Sequence, residues 1–159
     1  MESSPQKFNR FAWLLSVWFG AGLLPKAPGT WGSIAALPLA YALAYWGSLE
    51  ILAGATIVVF AIGVWSSEIA SRDMGVSDPS EIVIDEVAGQ WLTLLVVPPD
   101  LILYACGFIL FRLFDIWKPG FIKTIDQQST AMSVMLDDLF AGVFSAVGTC
   151  MLAGAFHAF

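Results

Sequence analysis

Charge is the scarcest property of this chain. Thirteen acids and seven bases make up 13% of its 159 residues, against 58% hydrophobic residues, and the mean hydropathy is +0.77. So few polar groups cannot cover a soluble globule of this length, which excludes that class and leaves an integral membrane protein. Cysteine is nearly absent as well. Cys106 and Cys150 both lie within apolar runs, which excludes a disulfide framework and reads as two small residues of a helical core. The one histidine, His157, stands at the far end of the last apolar run and reads as an interfacial side chain. There is no internal repeat, no low-complexity tract and no linker long enough to divide the chain, so residues 1–159 are expected to form a single membrane-embedded domain.

What is present is a set of uncharged stretches at residues 27–49, 51–67, 87–99, 101–111 and 139–159. A spanning helix needs about 20 mostly apolar residues to cross a hydrocarbon layer of about 30 Å. Residues 27–49 and 139–159 meet that length alone, and 51–67 are marginal but adequate. The other two suffice once their helices extend past flanking charges, over 82–97 and 101–117, with Pro98, Pro99 and Asp100 as the turn between them. Residues 11–25 follow Lys7 and Arg10 as a signal peptide would, but no small-residue cleavage pattern precedes Pro25 and Lys26, so the segment is expected to be retained. As a helix it would measure about 22 Å, short for a span. The expected fold class is therefore all-α: a polytopic membrane helical bundle of about four to five spanning helices plus an N-terminal interfacial or re-entrant helix.

Threading the chain back and forth concentrates its charges. If 33–49 cross, 51–67 return, 82–97 cross, 101–117 return and 138–158 cross last, then Glu86 to Pro98 climbs about 18 Å and Asp100 to Asp115 descends about 22 Å. Asp115 thus returns to the level of Glu86. The same count brings every charge to one edge except Glu50 and Asp100, at the opposite turns, and Glu2, which is unplaced. All seven Lys and Arg fall on that edge, which the positive-inside rule makes cytoplasmic.

Four motifs occupy it. Pro28-Gly29-Thr30-Trp31-Gly32-Ser33 is read as the turn into the second helix, with Thr30 or Ser33 as N-cap or with backbone N–H groups and hydroxyls offered to phosphate beside Lys26. Asp85 and Glu86 open a hydrophobic helix; the dipole explains one acid there but not two facing further acids. Arg112, Asp115 and Lys118 are three apart, along one helical face; ionisable groups at a membrane helix end are costly and point to a site. Asp137 and Asp138 open the last apolar run. Five carboxylates meeting at a lipid interface must protonate or be compensated by a cation, and oxygen donors of this kind suit magnesium, which keeps waters and accepts substrate phosphate. The spacing of Cys106 and Arg112 matches a Cys-x5-Arg phosphatase loop, but the residues between are Gly107, Phe108, Ile109, Leu110 and Phe111. They continue a membrane helix and place Cys106 about 9 Å deeper than Arg112.

With PGTWGS, DPSEIVIDEVAG, FRLFDIWKP and VMLDDLFAG in this order, the chain resembles the phosphatidylglycerophosphatase A family from about Pro25 to Gly142. The resemblance implies a bacterial inner-membrane hydrolase of phospholipid metabolism. It would remove the terminal phosphate of phosphatidylglycerophosphate, leaving phosphatidylglycerol and inorganic phosphate, with magnesium as cofactor and a phospholipid, not a nucleic acid, as partner. Thr130, Ala131, Met132 and Ser133 depart from the family's usual glycine-rich stretch. Resemblance and charge geometry together assign Asp85, Asp115, Asp137 and Asp138 to the metal, with Glu86 a further ligand or the base that activates water. Asp85, Glu86, Asp115 and Asp137 are the expected catalytic acids, and Lys26, Thr30, Ser33, Arg112 and Lys118 the expected phosphate-binding groups. The alternatives are a phosphatase of another lipid phosphate such as phosphatidic acid and, from a different class, a cation transporter.

Overall fold

Asparagine at position 9 starts the first helix of the computed structural model, which describes residues 8–117 and 130–157. Its side chain accepts from the N–H groups of Phe11 and Ala12, capping α1 (Arg10–Ser16), while its own N–H donates to Asp73 at 2.7 Å. The chain then turns through a 3-10 segment, Trp18–Leu23, in which Phe19 (φ 55°) and Gly20 (φ 102°) are left-handed. Residues 11–25 are thus two short pieces rather than one helix. At seven and six residues neither reaches across a membrane.

α2 (Pro28–Ala42) runs on into a π-helical turn at Leu43–Gly47. α3 (Leu49–Met74) is capped by Ser48 and closed by Gly75 at φ 68°, with the Val76 N–H returning to the Ser71 carbonyl at 3.2 Å. α4 (Ile84–Leu94) follows, then α5 (Leu101–Trp117), opened by Asp100, whose carboxylate accepts from Ile102 and Leu103. α6 (Ala131–His157) is the last described helix. Among the described residues the ordered elements are all helical.

α4 is the centre of the bundle, packed by α2, α3, α5 and α6. Val87, Ala88, Gln90, Trp91, Thr93 and Leu94 are all buried. It meets α6 backbone to backbone: a methyl group added at Gly142 would lie 2.6 Å from the Gly89 carbonyl oxygen, and the Thr93 hydroxyl lies 3.0 Å from that oxygen and 3.3 Å from the Gly142 carbonyl. Small residues at a crossing allow this approach. On α2, Ala36 accepts at 2.9 Å from the indole N–H of Trp91. That tryptophan is 2% exposed, and its buried ring has a partner for its polar N–H. Cys150 departs from expectation, being exposed rather than core. α3 and residues 131–155 of α6 are long and apolar enough to cross a membrane. The exposure of Ile57, Leu101, Ile109 and Met151 gives the outer surface the character of a lipid-facing one.

α4 is shorter than the expected 82–97, ending at Leu94, and three other helices begin or end away from their expected limits. α2 starts at Pro28 with left-handed Ala27 as N-cap and no side-chain cap, so PGTWGS forms the first turns of a helix and neither Thr30 nor Ser33 caps it. Proline at the first helical position is pre-set for this. α3 continues past residue 67 to Met74 and carries Glu68, Arg72 and Asp73 within it. α6 begins seven residues before position 138, because Thr130 and Ser133 cap each other: the Ser133 N–H donates to Thr130 Oγ1 at 3.1 Å and the Thr130 N–H to Ser133 Oγ at 2.8 Å. The departing tetrapeptide is therefore a helix cap. Thr130→Ala should lower stability by about 1 kcal/mol, seen as an earlier unfolding transition in detergent; an unchanged transition would count against the cap.

Candidate active site

The acids of α4, α5 and α6 line one open-mouthed polar cavity of about 300 Å³, bordered also by Ala27, Pro28 and Gly29 of α2 and its N-cap and by Asp78, Pro79 and Ser80 of the loop before α4. Asp85, Glu86, Asp115, Asp137 and Asp138 all face it. The loop is held by the Val83 N–H, which donates to the Ser16 carbonyl at the end of α1 at 2.9 Å. The short N-terminal helix thereby fixes the height at which α4 begins, and with it the position of Asp85 and Glu86.

Arg112 organises one wall. Its Nη1 lies 2.6 Å from Asp115 Oδ2 and 3.8 Å from Glu86 Oε1, and donates to Ser33 Oγ at 3.4 Å. Ser33 Oγ donates in turn to the Gly29 carbonyl at 3.0 Å. Guanidinium, carboxylates and the start of α2 are thus one hydrogen-bonded unit. Gly29 has a steric reason here: a β-carbon on it would overlap the Glu86 carboxylate and come within 3.3 Å of Arg112 Nη1. Gly29→Ala should therefore displace Glu86 and lower turnover by about 10²-fold, the scale of an ångström-sized misplacement, with little change in unfolding temperature; full activity would show that this wall is not used.

The opposite wall is a charge problem. The lining residues include six carboxylates and one guanidinium. Asp85, Asp115, Asp137 and Asp138 are buried, the last two at 2% and 4% exposure. Asp85 Oδ1, Glu86 Oε2 and Asp138 Oδ2 are buried without a hydrogen-bond partner among the described residues. Asp85, Glu86 and Asp138 each offer an oxygen within 4.8 Å of the others'. Each charged pair at that separation repels by roughly 3 kcal/mol at an effective dielectric of about 20. Three hard oxygen donors this close together, on carboxylates that each keep an unpartnered oxygen, fit a divalent cation of the magnesium or calcium kind.

The remaining residues singled out in the sequence fall differently. Ser33 is buried and acts on Arg112. Lys26 is exposed with φ 61°, next to the rim residue Ala27, and Thr30 is partly buried; neither is part of the lining. Lys118 lies outside the described residues. Cys106, in the first half of α5, is not part of the lining. Asp78 is a lining residue that the sequence reading does not single out, although it stands in the same motif as Asp85 and on the same charged edge.

The family model for Phosphatidylglycerophosphatase A matches residues 14–153. The chain is 42% identical over 139 residues to the Phosphatidylglycerophosphatase A of Escherichia coli (strain K12), an alignment covering 84% of this chain and 78% of that protein. It is 37% identical over 138 residues to the Phosphatidylglycerophosphatase A of Haemophilus influenzae (strain Rd), covering 84% and 83%. A protein of Bacteroides thetaiotaomicron, provisionally named a phosphatidylinositol-3-phosphatase, is 34% identical over 141 residues, covering 84% and 88%. No solved structure matches the chain.

Proposed function

This chain belongs to the phosphatidylglycerophosphatase A family, and we propose that it hydrolyses phosphatidylglycerophosphate to phosphatidylglycerol and inorganic phosphate, with magnesium, at the cytoplasmic face of a bacterial inner membrane. The observation that carries the reading is the single cavity in which Asp85, Glu86 and Asp138 face Arg112 at one end of apolar helices. In this reading α2, α3, α5 and α6 span the membrane, and α4 with residues 95–97 is a fifth, shorter pass shielded from lipid by the others.

The chemistry assigns work to each wall. Arg112, steadied by Asp115 and Ser33, binds the terminal phosphate through its remaining N–H groups, and the positive end of α2 at Pro28 and Gly29 adds to that attraction. Asp85, Glu86 and Asp138 would hold magnesium, which when bound neutralises charge on the phosphoryl oxygens, with Asp115 and Asp137 completing the acidic lining. Glu86, a member of that set that also lies 3.8 Å from Arg112, would either ligate or take the proton of the attacking water. Water oxygen bonds to phosphorus, the phosphorus–oxygen bond to the glycerol breaks, and the glycerol oxygen leaves protonated. Positioning and electrostatics supply most of the catalysis in such a transfer.

Phosphate release by the detergent-purified protein tests this, with phosphatidylglycerophosphate, phosphatidic acid and phosphatidylinositol 3-phosphate each assayed with magnesium and with chelator. Release from the first that chelator abolishes is expected. Preference for either other lipid would move the substrate while keeping the chemistry. No release from any of the three by folded protein would overturn the phosphatase reading and direct attention to ion flux.

A further inference from the structure

Beneath the cavity lies a polar side chain that the roles above leave without work. Gln90 is 0% exposed, and neither its Oε1 nor its Nε2 hydrogen-bonds to another described residue. A buried polar group left unpaired costs about 1–3 kcal/mol. Methionine or leucine would fill the position without that cost, as Val87, Ala88 and Leu94 do at other buried positions of α4.

Its place in the fold points to a use. Gln90 stands four residues after Glu86, one helical turn deeper on the same face of α4. Helical side chains lean toward the N-terminus of their helix. The N-terminus of α4 is at the acids, so the Gln90 amide leans up toward Glu86. α5 runs the other way, with Asp115 at the cavity and Leu101 at the far end, so the stem of Arg112 leans down toward the level of Gln90. Two more buried atoms of residues next to this position in the fold, Glu86 on the same helical face and Arg112 facing it from α5, have no partner among the described residues: Glu86 Oε2 and Arg112 Nε. The three sets are complementary: a carboxylate oxygen accepts, the guanidinium Nε–H donates, and a carboxamide does both.

We propose that Gln90 is a positioning residue for this site: its carboxamide is linked through buried water to Glu86 Oε2 and to Arg112 Nε–H, none of which finds a direct partner among the described residues, so that carboxylate and guanidinium are held at fixed angles from below. A water there would have the two or more polar partners that buried waters need. The inference rests on the phosphatase reading, because it gives Gln90 no contact with substrate and acts only through Glu86 and Arg112.

The test is steady-state kinetics on phosphatidylglycerophosphate with Gln90→Met and Gln90→Asn, alongside thermal unfolding of each variant in the same detergent. Gln90→Met keeps the volume and removes the hydrogen bonds. Its unfolding temperature should be unchanged or higher, its KM within about 3-fold of wild type, and its kcat lower by about 10- to 100-fold, the usual scale for groups that orient catalytic side chains. Gln90→Asn keeps the amide but withdraws it by one methylene, and should give a smaller loss of kcat. Unchanged kcat in Gln90→Met would overturn the proposal, as would a loss of kcat accompanied by an equal loss of folded protein. Were Gln90→Met not to fold, Gln90→Asn decides: reduced kcat in folded protein supports positioning, while full activity or failure to fold overturns it. Wild-type protein inactive on every lipid phosphate would instead overturn the underlying reading, a result distinguishable from any of these.

Discussion

Asp138→Asn and Asp85→Asn should each lower turnover by about 10³-fold, the effect of removing several kcal/mol of charge stabilisation from a phosphoryl transition state. The expected size follows from crowding. Asp85, Glu86 and Asp138 bring oxygens within 4.8 Å of one another, a set that is repulsive alone and favourable around a cation. An amide in place of one carboxylate keeps the shape and removes a charge. Without divalent ion the variants should therefore unfold at the wild-type temperature or above it, since the crowding has been relieved. With magnesium the order should reverse. Wild type gains stability as RT ln(1 + [Mg]/Kd) while the variants gain little. Thermal unfolding over a magnesium titration thus reads the site apart from activity. Wild-type turnover in either variant, or an equal magnesium shift in all three proteins, would remove these residues from the cation site.

The shared level of these acids is legible in the sequence because helical rise is constant: Glu86 and Asp115 lie about equal climbs from the Pro98-Pro99-Asp100 turn. The start of α5 is legible too, since two prolines and a capping aspartate leave the chain few options at that turn. What cannot be read there depends on contacts between distant segments. PGTWGS looks like a turn, and becomes helix because Gly29 and Gly32 admit Glu86 and Val83 at distances that only glycine allows. Nothing in the sequence pairs Trp91 with Ala36, 55 residues away, whose carbonyl takes the indole N–H. The start of α6 depends on a reciprocal pair of hydroxyls in a stretch whose composition suggests little. Ser33 reads as a phosphate ligand, and the sequence gives no sign that its hydroxyl accepts from Arg112, 79 residues away. Sequence spacing places charges by height, and side-chain pairing then decides which of them touch.

Arg112→Lys is the sharpest test of that pairing, because the charge is kept and only the geometry is lost. One guanidinium nitrogen reaches Asp115, Glu86 and Ser33, on three different helices, while the planar fork leaves further N–H groups for phosphate. An ammonium is a single point of charge and cannot hold that arrangement and bind the substrate as well. If Arg112 were needed only as a counter-charge to the acids, lysine would serve and activity would stay within about 3-fold of wild type, since the summed charge of the cavity is the same. If it binds and orients the phosphate, kcat/KM should fall by about 10²-fold or more. Ser33→Ala should reproduce some of that loss, about 3- to 10-fold, by removing one neutral acceptor worth about 1 kcal/mol. The two variants together separate charge from geometry: loss in both assigns Arg112 to orientation, loss in neither reduces it to neutralising the acids, and loss in Arg112→Lys alone places the needed contact on the phosphate and not on α2.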